Sequence, residues 1–135
     1  MKQHDETMML TTPFHSRIVK ACEINQWDEW KGYTTPNAYT EVEQEYFAIR
    51  NSTGVFDLTP MIKYRIEGPD AEDFLNRLVT RDIRKIKQGR VGYAIWCDDA
   101  GQVMDDGTIF HLGDNDYRLC AYTRVMDWLM WSSMG

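Results

Sequence analysis

The chain has 135 residues, of which 43% are hydrophobic and 13% aromatic, enough to bury a core of its own and too apolar for a disordered segment. Its formal charge of −6 argues against general affinity for nucleic acid or an anionic membrane surface. No apolar run approaches the roughly 20 residues of a membrane span, and the first residues lack the shape of a signal peptide, so a soluble, cytoplasmic protein is expected.

Residues 1–12 show no periodicity and read as a loose tail, which leaves 13–135 as the folded domain. Pro13 suits the first turn of a short helix with Phe14, Ile18 and Ala21 at helical spacing. From Trp27 to Tyr39, with Gly32 and Pro36, the texture is that of a loop packing its own aromatic rings. Thr40-Glu41-Val42-Glu43 has the form of a capping box ahead of Val42, Tyr46 and Ile49 on one helical face, and Gly54 is placed to close that helix. Val55 to Leu58 reads as a short extended segment ended by Pro60. Ile62, Tyr64 and Ile66 alternate with Lys63, Arg65 and Glu67, the period of a half-buried strand.

Gly68-Pro69-Asp70 turns the chain into a helix capped by Asp70, with Phe74, Leu75 and Leu78 as its apolar stripe. The basic stretch Arg81, Arg84, Lys85, Lys87 and Arg90 reads as a solvated connection. An apolar run from Tyr93 to Cys97, the turn residues Asp98, Asp99 and Gly101, and a second run from Val103 to Phe110 predict a hairpin. Gly113 to Asp116 then turns into a third strand, Tyr117 to Tyr122. Thr123 can cap a last helix bearing Met126, Leu129 and Met130. A helix this apolar either docks on the sheet or expects further chain or a partner.

Cys22, Cys97 and Cys120 are odd in number and form no C-x-x-C pair, which argues against a disulfide framework or a zinc site and makes Cys97 and Cys120 small core residues. His4, His15 and His111 make no H-x-x-x-H pair and read as bystanders. The nucleophile-elbow, P-loop and dinucleotide glycine patterns are missing from the sequence. Neither acidic turn has the register of a calcium loop. Asp105 and Asp106 stand out because they interrupt the run Val103, Met104, Ile109, Phe110. A carboxylate there either caps a strand end in water or must be paired, protonated or used. Strand alternation sends the two to opposite faces.

Gly68-Pro69-Asp70-Ala71, Phe74-Leu75, Leu78, and Thr80 with Asp82 resemble the G-P-D-A…F-L…L…T-x-D helix of the aminomethyltransferase family, the T-protein of the glycine cleavage system. Ala48-Ile49-Arg50, Gly54-Val55-Phe56-Asp57 and Met61 are similar to its A-V-R…G-[LM]-F-D-V-S-H-M, Gly101 to Asp106 to its G-G-I-I-D-D, and Gly32 to Pro36 to its G-W-x-M-P. The likeness runs from about Thr12 to the end and covers the first third or so of a typical member. It implies an α+β fold, a mainly antiparallel sheet with flanking helices, forming part of a T-protein-like folate-binding domain.

The implied function is one-carbon transfer, aminomethyl or methyl, to tetrahydrofolate, with a lipoylated carrier protein as one form of donor. By the resemblance, Asp106 is the catalytic, folate-positioning carboxylate, and Met61, Tyr93 and Phe110 line the pterin pocket. Desolvation in such a pocket would let Asp106 exchange a proton near neutral pH, and no metal is called for. Gly107, Thr59-Pro60 and Tyr33 depart from the family pattern. A D-D-G run looks more like the folate-binding parts of sarcosine and dimethylglycine oxidising enzymes or of folate-dependent demethylases. A reading of another class is a non-catalytic folate-binding or regulatory module whose Trp-rich end docks a partner.

Overall fold

The computed structural model describes residues 9–134, so His4 and most of the expected tail lie outside the described residues. The chain divides into two compact units, Met1–Pro60 and Met61–Gly135.

In the first unit β1 (Leu10–Thr11), α1 (His15–Ala21), β2 (Gln26–Trp30), β3 (Tyr33–Ala38) and α2 (Val42–Asn51) follow in order, and the strands form a sheet in the order β1-β3-β2. The aromatic segment expected as a loop is instead the β2–β3 hairpin, with Trp30 opposite Tyr33. Its two turn residues, Lys31 and Gly32, both take positive φ, 54° and 81°, the backbone of a tight primed turn. A lysine where Asn or Asp is the usual signal hides the hairpin from a sequence reading. In α1, Ile18 is buried while Phe14 and Ala21 are exposed.

The capping box does not form. Glu41 stands at the N-cap of α2, and Glu45 Oε1 accepts from the backbone N–H of Thr40 (2.8 Å) and of Tyr39. The helix closes at Ser52 rather than Gly54, which is absent from the residues with positive φ. Val42, Tyr46 and Ile49 are all exposed. Val55 to Leu58 forms no strand.

The second unit runs β4 (Ile62–Glu67), α3 (Ala71–Leu78), a single 3-10 turn at Ile83–Lys85, β5 (Val91–Cys97), β6 (Val103–Gly113), β7 (Asp116–Ala121) and α4 (Met126–Ser133). Its sheet has the order β4-β7-β6-β5 with every pair antiparallel. This is the α+β architecture with flanking helices that the sequence predicts. The β5–β6 turn forms as its residues dictate: Asp98 Oδ1 accepts from the N–H of Ala100 (3.0 Å) and Gln102 (2.8 Å), and Gly101 takes φ 79°.

Alternation along the strands sends Tyr64, Ala94, Trp96, Ile109, Tyr117 and Leu119 inward, where they pack with Leu75 of α3 and Leu129 of α4. Ile83 and Ile86 are buried in the same core, so the basic stretch is solvated but pinned, with Arg84 paired to Asp73 at 2.7 Å. Asp70 makes no side-chain cap to α3. Val125, not Thr123, is the N-cap of α4, and the Tyr64 hydroxyl accepts from its N–H at 2.7 Å. The last helix thus docks through Leu129 and leaves Met130 and Trp131 exposed. His111 has a structural part: its Nδ1 lies 2.7 Å from the Ile86 carbonyl, and its ring stacks on Tyr117 at 4.5 Å.

Tyr117 gives the core a pH dependence. Burial, then its hydrogen bond to Glu72 (3.0 Å) and that carboxylate's charge, push its phenol up to about 12 from 10.0. The folded chain holds this proton more tightly than the unfolded chain, so the associated stability is complete below pH 10 and drains away between 10 and about 12. Tyr117→Phe should flatten that alkaline loss. Thermal melts across this range check it, and an unchanged slope would count against the assignment.

Candidate functional site

Asp105 and Asp106 are neighbours with opposite fates. Asp105 faces inward and is 9% exposed. One of its oxygens accepts from the Asp106 N–H (2.8 Å) and the other from the Thr123 N–H (2.7 Å), which ties β6 to the chain leaving β7. Both oxygens are therefore engaged by backbone donors. Asp106 points to the other face of the sheet and is exposed. The shielded setting expected for it is not present in the second unit.

Cross-strand register defines what surrounds Asp106. Ile95 lies opposite it on β5, and Tyr93 lies opposite Thr108, so Tyr93 and Asp106 are diagonal neighbours on one face. The Tyr93 phenol is raised above its usual range, first by its hydrogen bond to Asp106, then by desolvation, then by the carboxylate's charge. Phe110 follows two residues after Thr108 on the same face and is half-buried. Met61, also half-buried, precedes β4. Ile62, Ala121 and Gly107 share one row, so Met61 is level with Asp106 two strand spacings away, about 10 Å.

Of the sequence-predicted set, Tyr93, Asp106 and Phe110 thus share one face of a single sheet, and Met61 precedes its edge strand level with Asp106. Sequence reasoning missed Thr108, which the i, i+2 alternation from Asp106 could have found. It also missed Ile95 and Cys120, which only the pairing reveals. Cys97 and Cys120 are half-buried rather than core residues. Cys120 lies opposite Thr108 on this outer face; burial pushes its thiol up, and the charges of Lys63 and Arg118 act against that shift. A cavity of about 1100 Å³ lies elsewhere, along β4, α3 and α4, and none of the four predicted residues lines it. Its charged walls are largely engaged with one another, Arg65 with Glu67 and Arg84 with Asp73.

The profile of the GCVT N-terminal domain matches residues 15–133. The chain belongs to this family. Among curated relatives, the aminomethyltransferase of Deinococcus deserti is 33% identical over 94% of this chain and 35% of its own length. That of Listeria innocua is 31% identical over 96% of this chain and 36% of its own length. The crystal structure of glycine cleavage system aminomethyltransferase T from Bartonella henselae shares the fold, with a TM-score of 0.78, 23% identity, and coverage of 94% of this chain and 36% of that one.

The chain therefore spans about a third of the length of these relatives. As a GCVT N-terminal domain, it carries the D-D pair on β6, one of the two strands flanked on both sides in its sheet, where register fixes side-chain direction most firmly. Among the described residues, no helix is long and apolar enough to cross a membrane.

Proposed function

We propose that this chain is the folate-holding part of a tetrahydrofolate-dependent one-carbon transferase of the glycine cleavage T-protein type. Its setting would be cytoplasmic, and its donor of the kind a lipoylated carrier protein presents. The observation that supports this most is Asp106 itself: an exposed carboxylate, hydrogen-bonded by Tyr93 and bordered on one sheet face by Thr108 and Phe110.

The residues fit the group chemically. A carboxylate offers two acceptor oxygens side by side, and a pteridine offers a ring N–H beside an amino group. Tyr93 and Phe110 supply flat surfaces for stacking, and Met61 a soft apolar one. The raised Tyr93 phenol stays protonated at neutral pH, so it donates to Asp106 and fixes the direction of the carboxylate. Tetrahydrofolate, when bound, supplies the nitrogens that take up the one-carbon unit. Asp106 binds and orients the ring and places a negative charge beside it.

The test is a titration of the chain with tetrahydrofolate, read by tryptophan fluorescence, for the unsubstituted protein, Asp106→Asn and Asp105→Asn. Loss of a charge-assisted pair should weaken binding by Asp106→Asn about tenfold or more. Asp105→Asn should keep the affinity while lowering thermal stability, because its oxygens hold backbone N–H groups. Equal affinity in all three proteins would remove Asp106 from the site.

A further inference from the structure

We infer that the same sheet face holds a subsite for the anionic glutamate end of a folate, anchored by Arg118. This rests on the folate reading of Asp106 and extends it from the ring to the tail.

Three cations share the outer face with Asp106. Register sets Arg65, Arg118, Phe110 and Val91 in one row and Lys63, Cys120, Thr108 and Tyr93 in the next. Arg65 is committed to Glu67 (2.9 Å) and Asp116 (3.3 Å), the acids at that end of the face. Lys63 Nζ donates to the Met61 carbonyl at 2.9 Å. Among the described residues Arg118 has no ion pair and no side-chain hydrogen bond, and it is exposed. At that end of the face Arg65 and Arg118 balance Glu67 and Asp116 in charge, and because both acids lie against Arg65, the Arg118 guanidinium is left open to a ligand.

The spacing matches an extended ligand. Phe110 comes four residues after Asp106, about 13 Å along the strand, and Arg118 sits across from Phe110, about 5 Å farther on the next strand. The face therefore presents a carboxylate, a flat ring and a guanidinium in that order. A reduced folate presents its N–H-bearing pteridine, its benzoyl ring and its glutamate carboxylates in the complementary order. Arginine suits the last position because its planar fork accommodates a carboxylate with two parallel hydrogen bonds.

The test compares tetrahydrofolate with 6-methyltetrahydropterin, the reduced ring system without benzoylglutamate, on the full chain and on Arg118→Gln and Arg118→Lys. Arg118→Gln should weaken tetrahydrofolate about two- to fivefold, the range for a solvent-exposed charge contact, and leave 6-methyltetrahydropterin unchanged. Arg118→Lys should recover part of the loss, and added salt should weaken tetrahydrofolate in the unsubstituted chain more than in Arg118→Gln. Equal tetrahydrofolate affinity of Arg118→Gln and the unsubstituted chain overturns the tail subsite alone, provided binding still depends on Asp106. Failure of the unsubstituted chain to bind either compound overturns the ring and tail assignments together.

Discussion

Gly107→Ala is expected to disrupt the second unit more than any other single-methyl change on β6. A Cβ at this position would lie 2.0 Å from the Cys120 carbonyl oxygen and 3.1 Å from its carbon, with Trp96 Cη2 at 3.4 Å. The first two are backbone atoms, so no rotamer change relieves the clash. Relief requires β6 and β7 to part where Gly107 pairs with Ala121 and Thr108 with Cys120. Overpacking of this kind costs about 3 kcal/mol or more, against a total of about 5–15 kcal/mol for a domain. Gly113, whose added Cβ would find its nearest neighbour at 3.9 Å, is the control. Urea denaturation should show a large drop for Gly107→Ala and a small one for Gly113→Ala; similar midpoints would refute the steric account. The glycine that follows Asp106 in the sequence is thus explained by the close approach of β7, whatever substrate the site takes.

Trp96→Ala should produce the second large effect. Trp96 is fully buried on β5, among Leu75, Ile83 and Ile109, and its ring passes beside Gly107. Removing it should cost about 3–5 kcal/mol through lost transfer energy and the cavity left behind. Trp96→Phe should cost much less. Its loss of volume is smaller, and Trp96 Nε1 has no hydrogen-bond partner, so the substitution removes a buried polar atom at no loss of bonding. Thermal or urea unfolding of the two variants checks the order; Trp96→Phe as damaging as Trp96→Ala would mean that the N–H has a partner. Both positions support the Tyr93–Asp106 contact, because β5 and β6 hold it only while their register is kept.

The legible parts of this chain were those where local chemistry and tertiary packing agree. Alternation gave β4, the Asp98 and Gly101 turn gave the β5–β6 hairpin, and the apolar stripe gave α3. The illegible parts were those where one competing group decided. Lys31 adopts a left-handed backbone and converts an apparent aromatic loop into the β2–β3 hairpin. Glu45 takes the Thr40 N–H that a Thr40–Glu43 box would have given to Glu43, and the Tyr39 N–H besides. Thr123 gives its N–H to Asp105 and leaves the N-cap of α4 to Val125. Cys120 reads as core because its run is apolar, but parity puts it on the outer face with Thr108.

For the candidate site, sequence alone determined the acidic pair, its place on a strand and the opposed directions of its two side chains, since a strand alternates whatever it packs against. It did not determine which carboxylate is structural. That was decided by the Thr123 N–H meeting Asp105 from 18 residues farther along the chain. Nor could it set Tyr93, Thr108 and Cys120 in one row, with Phe110 and Arg118 in the next, because cross-strand neighbours depend on register. Register is a property of the whole sheet, fixed by the shared inward row of Tyr64, Leu119 and Ile109 rather than by any local run of residues.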